Sequence, residues 1–102
     1  MSMKHWRMSE DYKALIAKVS DLLYEADPIG IGEIIGAPRD EYDSEARKVV
    51  PALRDASSIE ELTWHIHNIF IDQFSEAAAG EVSKYQSIAR QVWNFKQLTK
   101  NW

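Results

Sequence analysis

Apolar positions recur with the period of a helix along most of this chain, and the interruptions mark where the helices end. Tyr12, Leu15, Ile16, Val19, Leu22, Leu23 and Ala26 form one stripe of helical spacing. Ser9, followed by Glu10 and Asp11, reads as the N-cap of this helix. Pro28 restricts the residue before it, so the helix is expected to end by about Asp27. Trp6 and Met8, ahead of the predicted cap, are expected to fold back onto the core. A second stripe, Tyr42, Ala46, Val49, Val50 and Leu53, predicts a helix from about Asp40–Asp43 to Asp55. Pro51 lies inside it, which requires a kink or two short pieces. Ser57 and Ser58 each stand three residues before an acid, Glu60 and Glu61, so overlapping capping boxes open a third helix. Its core stripe is Ile59, Leu62, Ile66, Ile69, Phe70, Phe74 and Ala77, while Trp64 and Ile71 point nearly opposite. Apolar on two sides, this helix is expected to be the central and most enclosed one. Gly80 punctuates, and Val82, Tyr85, Ile88, Ala89, Val92, Trp93 and Phe95 predict a fourth helix from Glu81 to near the end.

The segment Asp27–Glu45 breaks the helical pattern. It holds three of the four glycines, two of the three prolines and six acids: Asp27, Glu33, Asp40, Glu41, Asp43 and Glu45. Gly30, Gly32 and Gly36 alternate with isoleucines, but a dinucleotide cradle needs a preceding strand and a third glycine at fixed spacing, and a P-loop needs its lysine. The glycines therefore read as turns and the isoleucines as anchors to the core. Asp27, Pro28, Gly30, Asp40, Tyr42 and Asp43 are the residues expected to organise this loop. The pattern predicts an all-α protein: a compact bundle of four helices with a Gly/Pro-rich loop between helices 1 and 2, residues 1–102 forming a single helical domain.

Charge and composition narrow the function classes. The net charge is −4, but residues 25–61 carry ten acids against four bases, whereas residues 81–102 carry one acid against four bases. Such a middle repels phosphate and the tail is too sparsely basic for a nucleic-acid footprint, so no nucleic-acid partner is expected. The absence of cysteine removes disulfides, thiol nucleophiles and thiolate metal sites. No apolar run reaches signal-peptide or membrane-spanning length, so the chain reads as soluble, unprocessed and cytoplasmic, with no membrane partner.

Two groups of residues have the right chemistry for a site. Glu61, His65, Asn68 and Asp72 share one polar helix face, where a carboxylate and an imidazole one turn apart can ligate a metal or transfer protons. The plainer reading is a solvated face with an i,i+4 pair, since no second histidine joins it. Asp40, Glu41, Asp43 and Glu45 offer oxygen ligands without the spacing of a calcium loop, and acids at a helix start are expected as cap and dipole partners. No catalytic residue, metal site or cofactor is assigned from the sequence.

At Asp27, Pro28, Ile29 and Gly30, then Asp40, Glu41, Tyr42 and Asp43, then Ser57, Ser58, Glu60 and Glu61, the chain resembles the YugE-like small bacterial proteins grouped as domain of unknown function 1871. The resemblance covers roughly residues 22–74. Ala26 stands where those relatives commonly carry an aromatic residue, and residues 81–102 form an additional helix. What the resemblance implies is a compact helical bacterial fold, of a kind often suspected of immunity or accessory roles, and no activity.

The function expected is therefore that of a small protein-binding helical module, immunity-like or accessory, whose acidic middle meets a basic surface. Glu33, Glu41 and Glu45 are expected to be its exposed acids, with Asp27 and Asp43 acting as caps. Trp64, Ile71 and Trp93 are expected to supply apolar contact in a homodimer or a partner-dependent form. The alternative is a small metal- or acid/base-dependent enzyme using Glu61, His65 and Asp72.

Overall fold

The computed structural model describes the backbone of residues 2–30 and 41–99 and the side chains of residues 11–30 and 41–99. Within it are five α-helices: α1 (Ser2–Ala26), α2 (Asp43–Asp55), α3 (Ile59–Gln73), the single turn α4 (Glu76–Ala79) and α5 (Gln86–Trp93). Tight 3-10 turns at Val82–Tyr85 and Lys96–Thr99 flank α5. No strand occurs among the described residues, and the protein is an all-α bundle as the periodicity predicts. Helix α1 packs on α2 and α5, while α2 packs on α3. In turn α3 carries α4, the Val82–Tyr85 turn and α5. Loop residues Glu33 and Asp40, with Ile31, Gly32, Ile34, Ile35 and Gly36, lie outside the described residues, as do the side chains of Trp6 and Met8.

The predicted stripes form the core. Leu15, Val19 and Leu23 of α1, Ala46, Val49, Val50 and Leu53 of α2, Leu62, Ile66 and Phe70 of α3, and Ile88, Ala89 and Val92 of α5 are buried together with Tyr42 and Tyr85. Aromatic rings join the layers, with the Phe70 ring 5.9 Å from Tyr42, 5.4 Å from Tyr85 and stacked on Phe74 at 5.8 Å. Helix α3 touches the most elements but is not the most enclosed: α2 buries five side chains, α3 four, and α3 keeps an outer face in solvent.

Several boundaries differ from the sequence expectation. Ser9 does not cap α1, which already runs from Ser2. No glycine or proline interrupts residues 2–9, so nothing local stops the helix from extending. At its other end Asp27 adopts φ 46°, a left-handed conformation that Asp tolerates better than most residues, and its N–H bonds the Leu23 carbonyl. Helix α2 is continuous through Pro51. Proline leaves the carbonyl four residues back without its helical donor. That carbonyl, Arg47 O, accepts a long 3.5 Å hydrogen bond from the Tyr12 hydroxyl of α1.

Of the two possible capping boxes, Ser58 is the one used: its Oγ accepts from Glu61 N–H at 3.1 Å, and Glu61 reaches back to Ser57 N–H at 3.2 Å. Ala77 does not extend the α3 stripe. The helix ends at Gln73, and Ser75 caps a fresh turn by accepting from Ala78 N–H at 3.0 Å. A serine side chain that competes with the backbone favours such a break. In place of one fourth helix the chain makes three short pieces, because Gly80 at φ 78° turns it and i→i−3 hydrogen bonds tighten it after Trp93.

Candidate functional site

Four acids of the predicted surface, Asp27, Glu41, Asp43 and Glu45, are partly or wholly covered at the junction of α1 and α2, whereas Glu25 and Asp55 are exposed. The Tyr42 hydroxyl, on a wholly buried side chain, donates to Asp27 Oδ1 at 2.7 Å and accepts from Ile29 N–H at 3.3 Å. One phenol thus fastens the exit of α1 to the entrance of α2. Burial first, and then the bond to Asp27, push the Tyr42 phenol well above its ordinary value. Asp43 caps no helix: it accepts a hydrogen bond from the buried Ser20 hydroxyl of α1, and α2 has no side-chain cap.

Glu45 is not the exposed acid it was expected to be. It is only 4% exposed, its Oε1 has no hydrogen-bond partner, and burial holds its carboxyl above the usual carboxylate value. Glu41 is half-buried with both carboxylate oxygens covered and unpartnered, and burial, followed by the nearby Asp27 charge, raises it too. These positions have the i,i+4 spacing and acidic character of a solvated helix start. Only their neighbours across the fold cover them.

The outer face of α3 is where exposed chemistry gathers. Trp64 is 57% exposed and shares this face with Glu60, Glu61, Asn68 and Asp72, all exposed, and with half-buried Ile71. Glu61 Oε2 lies 3.5 Å from His65 Nε2, and both side chains are open to solvent. No group of three or more His, Cys, Asp or Glu side chains among the described residues is placed to hold a metal ion. His67 points inward from the same helix. Its Nε2 is 2.8 Å from Gly80 O, its ring meets Tyr85 at 5.4 Å and Trp64 at 6.1 Å, and Nδ1 is covered without a partner. With the Tyr85 hydroxyl donating to Ala79 O at 2.6 Å, it ties the α4 turn to α3. Burial pushes the Tyr85 phenol up to about 12.

Beside Trp64 a groove of about 320 Å³ runs between α3 and the Val82–Arg90 segment, lined by Ile59, Glu60, Thr63, Trp64, Val82, Gln86 and Arg90. Of the three predicted apolar contact residues only Trp64 is exposed. Trp93 is half-buried, its ring 5.4 Å from the Lys96 ammonium. Lys96 gave no signal in the sequence, because it pairs with carbonyls some forty residues away. Its Nζ donates to Leu53 O, Arg54 O and Ala56 O at 2.7, 2.6 and 2.7 Å, closing the C-terminal end of α2.

Together the fold and the exposed face define a small all-α protein whose solvent-facing chemistry is an acidic helix bearing a tryptophan. No family model, no curated protein and no solved structure matches the chain. Among the described residues no helix is long and apolar enough to cross a membrane.

Proposed function

We propose that this chain is a protein-binding module and that its contact surface is the outer face of α3, centred on Trp64. One observation carries the reading: residues 59–81 hold five exposed acids, Glu60, Glu61, Asp72, Glu76 and Glu81, no lysine or arginine, and the most exposed large apolar side chain among the described residues. An exposed tryptophan on a helix face whose neighbouring charges are acidic is the composition of a contact site, aromatic anchor within and charge at the rim. The partner that fits is a basic protein surface, as an immunity-like or accessory protein would meet. This moves the acidic contact from Glu41 and Glu45 to α3. The proposed kinship with YugE-like proteins is compatible with it: the first two motif segments meet at the Tyr42–Asp27 bond, and the third opens α3, with Glu60 and Glu61 exposed at its start. Affinity capture from the native host, at low and high salt, compares the wild type with Trp64→Ala. The expected result is a basic partner held at low salt, released by salt and lost in the variant. Failure to retain any partner at low salt, or retention indifferent to Trp64, would sink the reading.

A further inference from the structure

The groove beside Trp64 differs in charge from the rest of the face. Its two walls carry opposite charges, Glu60 on α3 and Arg90 on α5, both exposed and neither engaged in an ion pair or hydrogen bond. Ile59, Thr63 and Val82 share the lining with them, and so does Trp64, more than half exposed. A uniformly basic partner would satisfy Glu60 and be repelled by Arg90. A second copy related by a two-fold axis brings both signs at once, because in such an interface each residue of a pair meets its counterpart from the other subunit.

We propose that the occupant of this groove is a second copy of the chain, docked two-fold so that Glu60 of each subunit faces Arg90 of the other and each Trp64 packs against the Ile59–Val82 lining of its partner. The inference rests on the reading of the Trp64 side as a contact surface: in the dimer Trp64 is covered by the second copy, the exposed Asp72, Glu76 and Glu81 remain for a basic partner, and Trp64→Ala loses that partner through loss of the paired surface. Two-fold docking doubles the acidic surface and makes the module bivalent, so a partner with two sites gains avidity without any new contact.

Charge reversal tests it through the symmetry. Glu60→Arg alone places like charges on all four walls of the paired grooves, and so does Arg90→Glu alone. Sedimentation velocity from micromolar to near-millimolar protein is expected to show a dimer for the wild type and at least roughly ten-fold weaker self-association for each variant. Mixed in equal amounts, the two variants are expected to pair with each other, since one then supplies only positive and the other only negative walls. Circular dichroism and thermal melting of each variant verify that it is folded. Trp64→Ala is expected to weaken the wild-type dimer without altering the melt. A wild type that stays monomeric throughout overturns the inference, as do single variants that dimerise normally or a mixture that fails to associate. A wild type that stays monomeric yet captures a basic partner through Trp64 overturns the dimer alone, and a dimer that captures no basic partner overturns the proposed function alone, so the two proposals fail separately.

Discussion

Tyr42 shows how much one side chain can fix. Its ring sits in the core against Phe70 while its hydroxyl serves both Asp27 and Ile29, so it links burial to the turn that ends α1. Tyr42→Phe keeps the packing but takes one donor from the Asp27 carboxylate and removes the acceptor of Ile29 N–H. It is expected to cost about 1–3 kcal/mol in urea unfolding, the range for buried groups that lose their partner. Glu45 should respond in the opposite sense. Its folded carboxyl is raised by burial, so ionisation weakens the fold as pH rises past the ordinary value of 4.5. Glu45→Gln, which removes that ionisation, is expected to stabilise the protein at neutral pH by of order 1 kcal/mol. The gain should shrink as pH falls toward the ordinary glutamate range, where the wild type is protonated too, and unfolding midpoints of both proteins at several pH values check this. Tyr85 adds an alkaline limb. With its phenol raised from 10.0 to about 12, its contribution is whole below pH 10 and is lost as pH climbs toward 12.

At the scale of elements, helix ends carry the joints. Ser58 closes the start of α3 with a local box that a reader of the sequence can see, and Ser58→Ala is expected to cost about 1 kcal/mol. Lys96 closes the end of α2 from a distance, its three ammonium protons on three carbonyls at a helix terminus where cations are favoured. Lys96→Met keeps most of the apolar stem and removes the ammonium, with its three donated bonds and its place over the Trp93 ring. A loss of about 1–3 kcal/mol is expected, measured as a lower urea midpoint with an unchanged slope. An unaltered midpoint would mean that water replaces the ammonium at no cost.

For the whole molecule, the division between core and surface predicts which changes affect folding and which affect contact. Phe70 joins Tyr42, Phe74 and Tyr85, and Phe70→Ala is expected to cost about 3–5 kcal/mol, enough to threaten a domain of this size. Trp64→Ala removes a larger side chain from a site that is 57% exposed, and its effect on stability is expected to stay within about 0.5 kcal/mol. A large loss of stability at Trp64 would place it in the core and remove the basis for a contact face.

Repeating apolar spacing determined the helices by itself, because a stripe at i, i+3, i+4 has only one local conformation that puts its members on one side. It gave the buried faces of α1, α2, α3 and α5 apart from Ala26 and Ala77, which are exposed, and it set Trp64 opposite the α3 core stripe, where the side chain is exposed. Serine followed by an acid three residues later gave the start of α3, whereas Ser75 caps its turn with Ala78 at that position and only Glu76 as a first-turn acid. Tertiary structure alone decided the fate of the acids. Glu45 lies in the first turn of α2, where an acid has a local reason to stand whether or not it meets water, and only packing decided that it does not. Asp43 looked like a cap and became the partner of Ser20, twenty-three residues away. Lys96 and the charges lining the groove were equally invisible, since a side chain reaching across the fold leaves no periodic trace in the sequence.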